Sequence, residues 1–167
     1  MPEITRIRPP EDADERGTFT GLLDFLRATV ELKLTGLTEQ QAFARPVEPS
    51  ALTPAGIVKH LTAVERFWFA IDFAGLDLEW PWTEDDPHGG FPITPDDTVD
   101  SILTAYRAEC ARAREIVAAA SLDDRARSPE GLNFTLRYAI AHIIEETARH
   151  LGHLDLLRES TDGEVGE

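Results

Sequence analysis

The stretch Thr135–Glu159 constrains the fold of this chain more than any other part of its sequence. Residues suited to burial recur there at steps of three and four, which is the period of a helix with one buried face. These residues are Leu136, Ile140, Ile143, Ile144, Thr147, Leu151 and Leu154. Three of the five histidines of the chain lie in the same stretch. We therefore predict a long amphipathic helix that carries histidines beside its buried face.

Two polar residues of this helix lie at the border of the apolar face. On a helical wheel, Glu146 and His150 are closer to the apolar arc than His142 and His153 are. A spacing of four residues stacks Glu146 and His150 on successive turns, with about 5–6 Å between their Cβ atoms. Both side chains should point to the rim of the core, where a pair of metal ligands is expected.

Two amphipathic segments nearer the start of the chain also predict helices. The first runs from about residue 18 to residue 36. The second begins with Thr53 as a side-chain cap and Pro54 at the first helical position, where the missing N–H costs nothing. His60 lies at the edge of the apolar stripe of this second helix. His60 is therefore a third polar residue expected at the rim of the core.

A long connection separates the second helix from the third. Residues 76–93 contain three prolines, two glycines and two tryptophans. A loop of this length inside a compact domain is usually functional. The third helix is predicted to start at Thr94 or Asp96, with Pro95 near its first turn.

Four amphipathic helices with one long crossover predict an all-α fold, an antiparallel four-helix bundle. The bundle should span residues 18–159, between a polar lead-in at 1–17 and a polar tail at 160–167. The formal net charge is −15, without a basic cluster, so neither nucleic acid nor an anionic membrane is an expected partner. The single cysteine, Cys110, and the lack of a signal-like or membrane-spanning run predict a cytoplasmic protein.

His60, Glu146 and His150 together offer two imidazoles and one carboxylate. Such a set suits a divalent ion, either zinc, nickel, iron or manganese. Three protein ligands would leave an open position for water or for a substrate thiolate, and the ion would lower the pKa of either. The competing interpretation is that the three residues are partly buried polar side chains that only form hydrogen bonds.

Other histidines offer alternative ligand sets. His142 with Glu146, or His150 with His153, would use residues nearer the outer face, where a solvated role is the simpler interpretation. His153 and His142 could also hold a ligand side chain in place through a hydrogen bond, or line a pocket. His153 could in addition reach across a contact in a homodimer. His88, in the long loop, is expected to be exposed.

The remaining candidates concern the long loop and the cysteine. Trp80, Trp82 and Phe91 either line a pocket over the metal site or plug one end of the bundle. Cys110 shares the apolar face of the third helix, so we expect it to be buried rather than to act as a nucleophile.

Three segments resemble a known family. HIIEETARHLGHLDLLRE, in the last helix, resembles the corresponding helix of the DinB/YfiT-like four-helix bundles, in particular the branch of mycothiol and bacillithiol transferases and domains of unknown function. GIVKHLTAVERFWF resembles the first metal-ligand segment of that branch, and WTEDDP resembles its loop. The likeness runs from about Phe19 to Glu159.

The resemblance implies a metal site and a reaction. The wider superfamily binds its metal with three histidines, of which His60 matches the first and His150 the last. Glu146 falls on the middle position, so this sequence departs from the pattern there. Such bundles join a low-molecular-weight thiol to an electrophile, or isomerise a substrate with the help of that thiol. For this chain we expect zinc or nickel before iron or manganese. The resemblance thus implies a metal-dependent thiol transferase, or a hydrolase if water replaces the thiol. A bundle that binds a metal or small ligand without catalysis, or a dimeric interaction module, is the alternative.

Overall fold

The computed structural model describes residues 4–84, 86 and 91–166. All regular elements in these residues are helical, and the one β-type pairing is an isolated bridge between Arg125 and Thr135. The elements are α1 (Glu15–Leu34), α2 (Glu39–Phe43), α3 (Pro54–Glu65), a π-helical segment (Arg66–Phe73), α4 (Val99–Ala119) and α5 (Leu136–Asp162). The all-α prediction is confirmed, and the four long helical stretches are consistent with the predicted bundle.

The lead-in lies along α1. The carboxylate of Asp14 accepts a hydrogen bond from the backbone N–H of Gly17 at 2.7 Å and so caps the helix. Pro9 packs so closely on Gly21 that a Cβ there would lie 2.6 Å from the Pro9 Cβ. The guanidinium of Arg8 lies 4.5 Å from the centre of the Phe25 ring. These contacts order the segment before the first helix.

The second long helix begins as predicted and then changes its winding. The hydroxyl of Thr53 accepts a hydrogen bond from Gly56 N at 3.0 Å, and Pro54 takes the first helical position. From Arg66 to Phe73 the backbone continues as a π-helix. Such segments are rare and are often found near functional sites. The sequence analysis did not predict this change.

The predicted start of the third helix is wrong. Helix α4 begins at Val99, and Thr98 forms a capping box with Ser101. The two predicted start positions, Thr94 and Asp96, lie before the helix. The Asp97 carboxylate closes a separate turn there. It accepts from Thr94 N at 2.6 Å and from the amine of Lys59, on α3, at 2.7 Å.

Helix α5 begins after Thr135, whose hydroxyl accepts a hydrogen bond from Tyr138 N at 3.3 Å. It ends at Asp162, three residues beyond the predicted Glu159. Gly163 then adopts a left-handed conformation with φ of 81°, which glycine tolerates without strain. The first residues of the predicted tail are therefore helical.

The long helices bury a common apolar core. Helix α1 packs mainly on α5 and α3 mainly on α4, while α3 also contacts α5. The contact between α3 and α5 is the one that positions the site. Among the described residues, no helix is both long and apolar enough to cross a membrane.

Candidate metal centre

Three side chains from two helices converge at the contact between α3 and α5. His60 comes from α3, while Glu146 and His150 come from successive turns of α5. One potential ligand atom of each residue lies within 4.8 Å of the others. His60 and His150 are buried, and the side chain of Glu146 is 21% exposed. The group is therefore anchored in the core and open to solvent on one side.

Both imidazoles contact the same carboxylate oxygen. The Nε2 atom of His60 lies 3.3 Å from Oε1 of Glu146, and Nε2 of His150 lies 3.1 Å from it. The two ring centres are 4.8 Å apart, with the planes inclined at 61°. Because these polar atoms point at one another rather than into separate surroundings, a single small cation could contact all three.

The packing of Phe91 fixes the position of His60. The two rings stack with their centres 4.1 Å apart and their planes 13° from parallel. The backbone of Phe91 also approaches the first turn of α3, where a Cβ on Gly56 would lie 2.5 Å from the Phe91 carbonyl oxygen. Glycine at that position therefore permits the close contact that holds the aromatic ring on His60.

The protonation states favour a cation site. Burial tends to raise the pKa of the Glu146 carboxyl, but the hydrogen bond from His60 and the neighbouring His150 outweigh that effect, so the pKa is lowered. Burial, together with the nearby His60, lowers the pKa of His150. An ionised carboxylate and a neutral imidazole are the forms that bind metal ions.

His153 contacts the cluster from outside. Its Nδ1 lies 3.4 Å from Nδ1 of His150, on the side of the ring opposite to Glu146. One of these two nitrogens must carry the hydrogen and the other must accept it. A ligand histidine normally donates its second N–H to such a partner, which fixes the orientation of the ring.

The structure separates the other predicted residues from the cluster. His142 lies against Trp68, with ring centres 4.2 Å apart, and its Nδ1 is 3.8 Å from the carboxylate of Glu145. Trp80 and Trp82 both pack on Phe67, which belongs to the π-helical segment.

Within the described part of the chain, Phe91 is thus the one aromatic residue of the long loop with a ring contact to the cluster. Cys110 is buried, as predicted, and burial raises the pKa of its thiol. His88, the remaining histidine, lies outside the described residues.

Two contributions escaped the sequence analysis. Trp68 lies in the predicted second helix and was not proposed as a site residue, but it forms an aromatic contact with His142. Gly56 gave no signal of its own, because the close approach of Phe91 depends on the tertiary path of the long loop.

The fold and the site define an all-helical protein with a cluster of two histidines and one glutamate that could hold a metal ion. The family model described as mycothiol-S-transferase matches residues 18–163. The chain therefore belongs to the mycothiol-S-transferase family, within the DinB-like branch of mycothiol and bacillithiol transferases. No curated protein sequence gives a significant match.

Family membership suggests a mycothiol S-transferase-like function. It also suggests a thiol as co-substrate and a small molecule as the second substrate. The matched residues contain all three members of the cluster, which lie on the two helices carrying the motifs that indicated the family.

Proposed function

We propose that this protein is a divalent-metal-dependent thiol S-transferase built on a DinB-like four-helix bundle. His60, Glu146 and His150 would hold the ion, with zinc or nickel preferred over iron or manganese. The observation that carries the proposal is the convergence of three ligand atoms within 4.8 Å in a chain of this family. The predicted departure at Glu146 need not abolish the site, because a carboxylate is a competent ligand.

The donor set fits such an ion. Two imidazoles and one carboxylate match the three protein ligands of catalytic zinc sites, which leave a further position open. The exposed edge of Glu146 lies on the side from which a thiol could enter. When bound, a divalent cation would lower the pKa of a coordinated thiol, so that the thiolate forms at neutral pH.

The protein side chains supply position and charge. Glu146 carries the negative charge that partly offsets the cation, and His60 is held by the stacked ring of Phe91. His153 would keep the ring of His150 oriented through the contact between their Nδ1 atoms. The Phe91 ring also covers one face of His60, which limits water on that side.

The proposed reaction is a substitution that needs no oxidant or reductant. The sulfur of the thiol forms a bond to an electrophilic carbon, while the bond from that carbon to the leaving group breaks. The leaving group departs with the electron pair of that bond, and the proton of the thiol goes to solvent. The products are a thioether, a proton and the released anion.

A reducing compartment suits this chemistry. The co-substrate must be a reduced thiol, and the single cysteine of the chain is buried. We therefore propose a cytoplasmic location for the protein. A homodimer remains a prediction.

The test compares three thiols with one electrophile. Untagged protein loaded with zinc or nickel is mixed with 1-chloro-2,4-dinitrobenzene and either mycothiol, bacillithiol or cysteine. We expect thioether formation above the uncatalysed rate with mycothiol, and loss of that acceleration in His150→Ala. Metal-loaded protein that accelerates none of the three reactions would contradict the proposal and favour a non-catalytic binding role.

A further inference from the structure

Helix α5 carries one row of residues at four-residue steps that joins two kinds of surface. The row consists of Tyr138, His142, Glu146 and His150. The last two belong to the metal cluster, whereas the first two present aromatic rings. Each step along the row is about 6 Å of helix. An aromatic surface therefore begins one turn away from Glu146.

The π-helical segment supplies the opposite side of this surface. The ring of Trp68 lies 4.2 Å from that of His142 and 6.1 Å from that of Tyr138, measured between centres. Phe134 closes the far end, with its ring centre 5.2 Å from that of Trp68. The rings of Tyr138 and His142 are within 6° of parallel. We call Trp68, Tyr138 and His142 the aromatic strip.

The aromatic strip is open to solvent in a way that the core aromatics are not. Tyr138 is 54% exposed, and the side chain of His142 is 28% exposed. By contrast, Phe69 and Phe73, in the same π-helical segment as Trp68, are buried. More than half of Tyr138 is therefore accessible to a ligand, at a position in line with the metal cluster along α5.

We propose that the aromatic strip is the subsite for the electrophilic substrate, and that this substrate carries a planar, electron-poor aromatic ring. The faces of tyrosine and tryptophan rings are electron-rich, so they attract rings whose electrons have been withdrawn by substituents. A ring beside His142 would place its reactive carbon about one helical turn from Glu146, towards the thiol. This orientation rests on the proposed function, whereas the binding of the ring does not.

The first test measures binding without reaction. The probe is 1,3-dinitrobenzene, which has the ring and nitro groups of 1-chloro-2,4-dinitrobenzene but no leaving group. Equilibrium dialysis gives its dissociation constant with the full chain. We expect Tyr138→Ala to weaken binding by about 3- to 10-fold, the scale of one aromatic contact. Tyr138→Phe keeps the ring and should bind like the wild type.

A matched control is available on the same helix. Leu156 is 61% exposed and does not belong to the row, so Leu156→Ala should leave the dissociation constant unchanged. Because Tyr138 is exposed, its replacement should not unfold the protein, which a melting curve checks. If Tyr138→Ala binds the probe as well as the wild type, or if the wild type does not bind it, the inference is wrong.

The second test uses turnover and separates this inference from the proposed function. With 1-chloro-2,4-dinitrobenzene as substrate, Tyr138→Ala should raise KM and leave kcat near the wild-type value. With iodoacetamide, which has no ring, neither constant should change. An equal loss with both substrates would overturn the assignment. Probe binding that depends on Tyr138 in a protein that transfers no thiol would uphold the subsite and contradict the proposed function alone.

Discussion

The helical stretch from Pro54 to Phe73 contributes to two polar clusters, one of potential metal ligands and one of paired charges. His60 belongs to the candidate metal centre at the rim of the bundle. Five residues later, Glu65 forms a bidentate ion pair with Arg27 of α1, at 2.7 and 2.6 Å. Both partners of that pair are almost wholly buried, with exposures of 2% and 3%.

The two clusters differ in whether their charges are already balanced. Burial acts to lower the pKa of Arg27, but its interaction with Glu65 outweighs this effect and raises the pKa. Asp24 accepts a further hydrogen bond from the same guanidinium at 3.0 Å. The Asp24 carboxylate also pairs with Arg114 at 2.9 Å, so this cluster contains two cations and two anions. The cluster of His60, Glu146 and His150 instead brings together ligand atoms and one negative charge, an arrangement that a cation would complete.

The two kinds of polar cluster should respond differently to mutation. The cluster that contains both cations and anions should contribute to the stability of the fold, and its loss should leave metal binding unaffected. The cluster of ligand atoms at the rim should determine metal binding and contribute little to the stability of the fold.

The largest expected effect is on stability. Replacing Glu65 with alanine leaves the buried guanidinium of Arg27 without its bidentate partner, so the free energy of unfolding should fall by about 3–5 kcal/mol. Denaturant titration of the metal-free protein measures it. The double variant Arg27→Met/Glu65→Leu removes both charges and should recover most of the loss.

A partly exposed pair gives the control for that experiment. Arg107, with a side chain that is 38% exposed, bonds to Glu31 at 2.6 Å, so Arg107→Ala should cost no more than about 1 kcal/mol. If Glu65→Ala were no more harmful than Arg107→Ala, the buried pair would not have the structural role assigned to it.

Removing a ligand histidine should have the largest effect on metal binding. His60→Ala and His150→Ala should each lower metal affinity by more than about 100-fold, because even outer partners of ligands contribute 10- to 100-fold. His142→Ala is the matched variant, and it should retain the metal because its ring lies on Trp68. Competition titrations with a chromophoric chelator measure all three. Equal losses in His142→Ala and His150→Ala would show that the ligand assignment is wrong.

Glu146 should have a smaller but diagnostic effect. Glu146→Gln removes the negative charge while keeping the shape, and we expect a loss of at least about 10-fold in affinity. Glu146→His would give three imidazoles and shift the preference towards zinc or nickel. If wild type, glutamine and histidine variants bind every ion equally, Glu146 is not a ligand.

The smallest effect is expected at His153. His153→Ala removes the partner of Nδ1 of His150, which should lower metal affinity by about 10-fold, at the low end of the effect of such partners. His153→Gln keeps an acceptor oxygen and should recover part of that loss. If the His153→Ala and His153→Gln variants bind metal with equal affinity, His153 does not act through a hydrogen bond to His150.

The structural features that could be predicted from the sequence are those whose physical cause lies in neighbouring residues. Thr53 and Pro54 mark the start of α3 because capping depends on neighbouring residues. The helical period predicted that His60 and His150 lie at the edges of the apolar faces of their helices. Because these edges of α3 and α5 face each other, the two side chains meet.

Other features depend on partners distant in the chain. The start of α4 was misplaced because Thr94 and Pro95 also form a valid helix-start signal, whereas Lys59 engages the Asp97 carboxylate in a separate turn. The π-helical segment covers only eight residues, too few for the sequence period to separate it from an α-helix. The positions of Trp80 and Trp82 depend on the path of an aperiodic loop.

The metal content of the purified protein tests the central claim most directly. The protein is prepared without chelators and without a polyhistidine tag, and elemental analysis is run beside a His60→Ala/His150→Ala double variant prepared in the same way. We predict about one divalent ion per wild-type chain, zinc or nickel first, and none above background in the variant. A wild-type protein that holds no more metal than the double variant, even after incubation with excess zinc or nickel, would contradict the account.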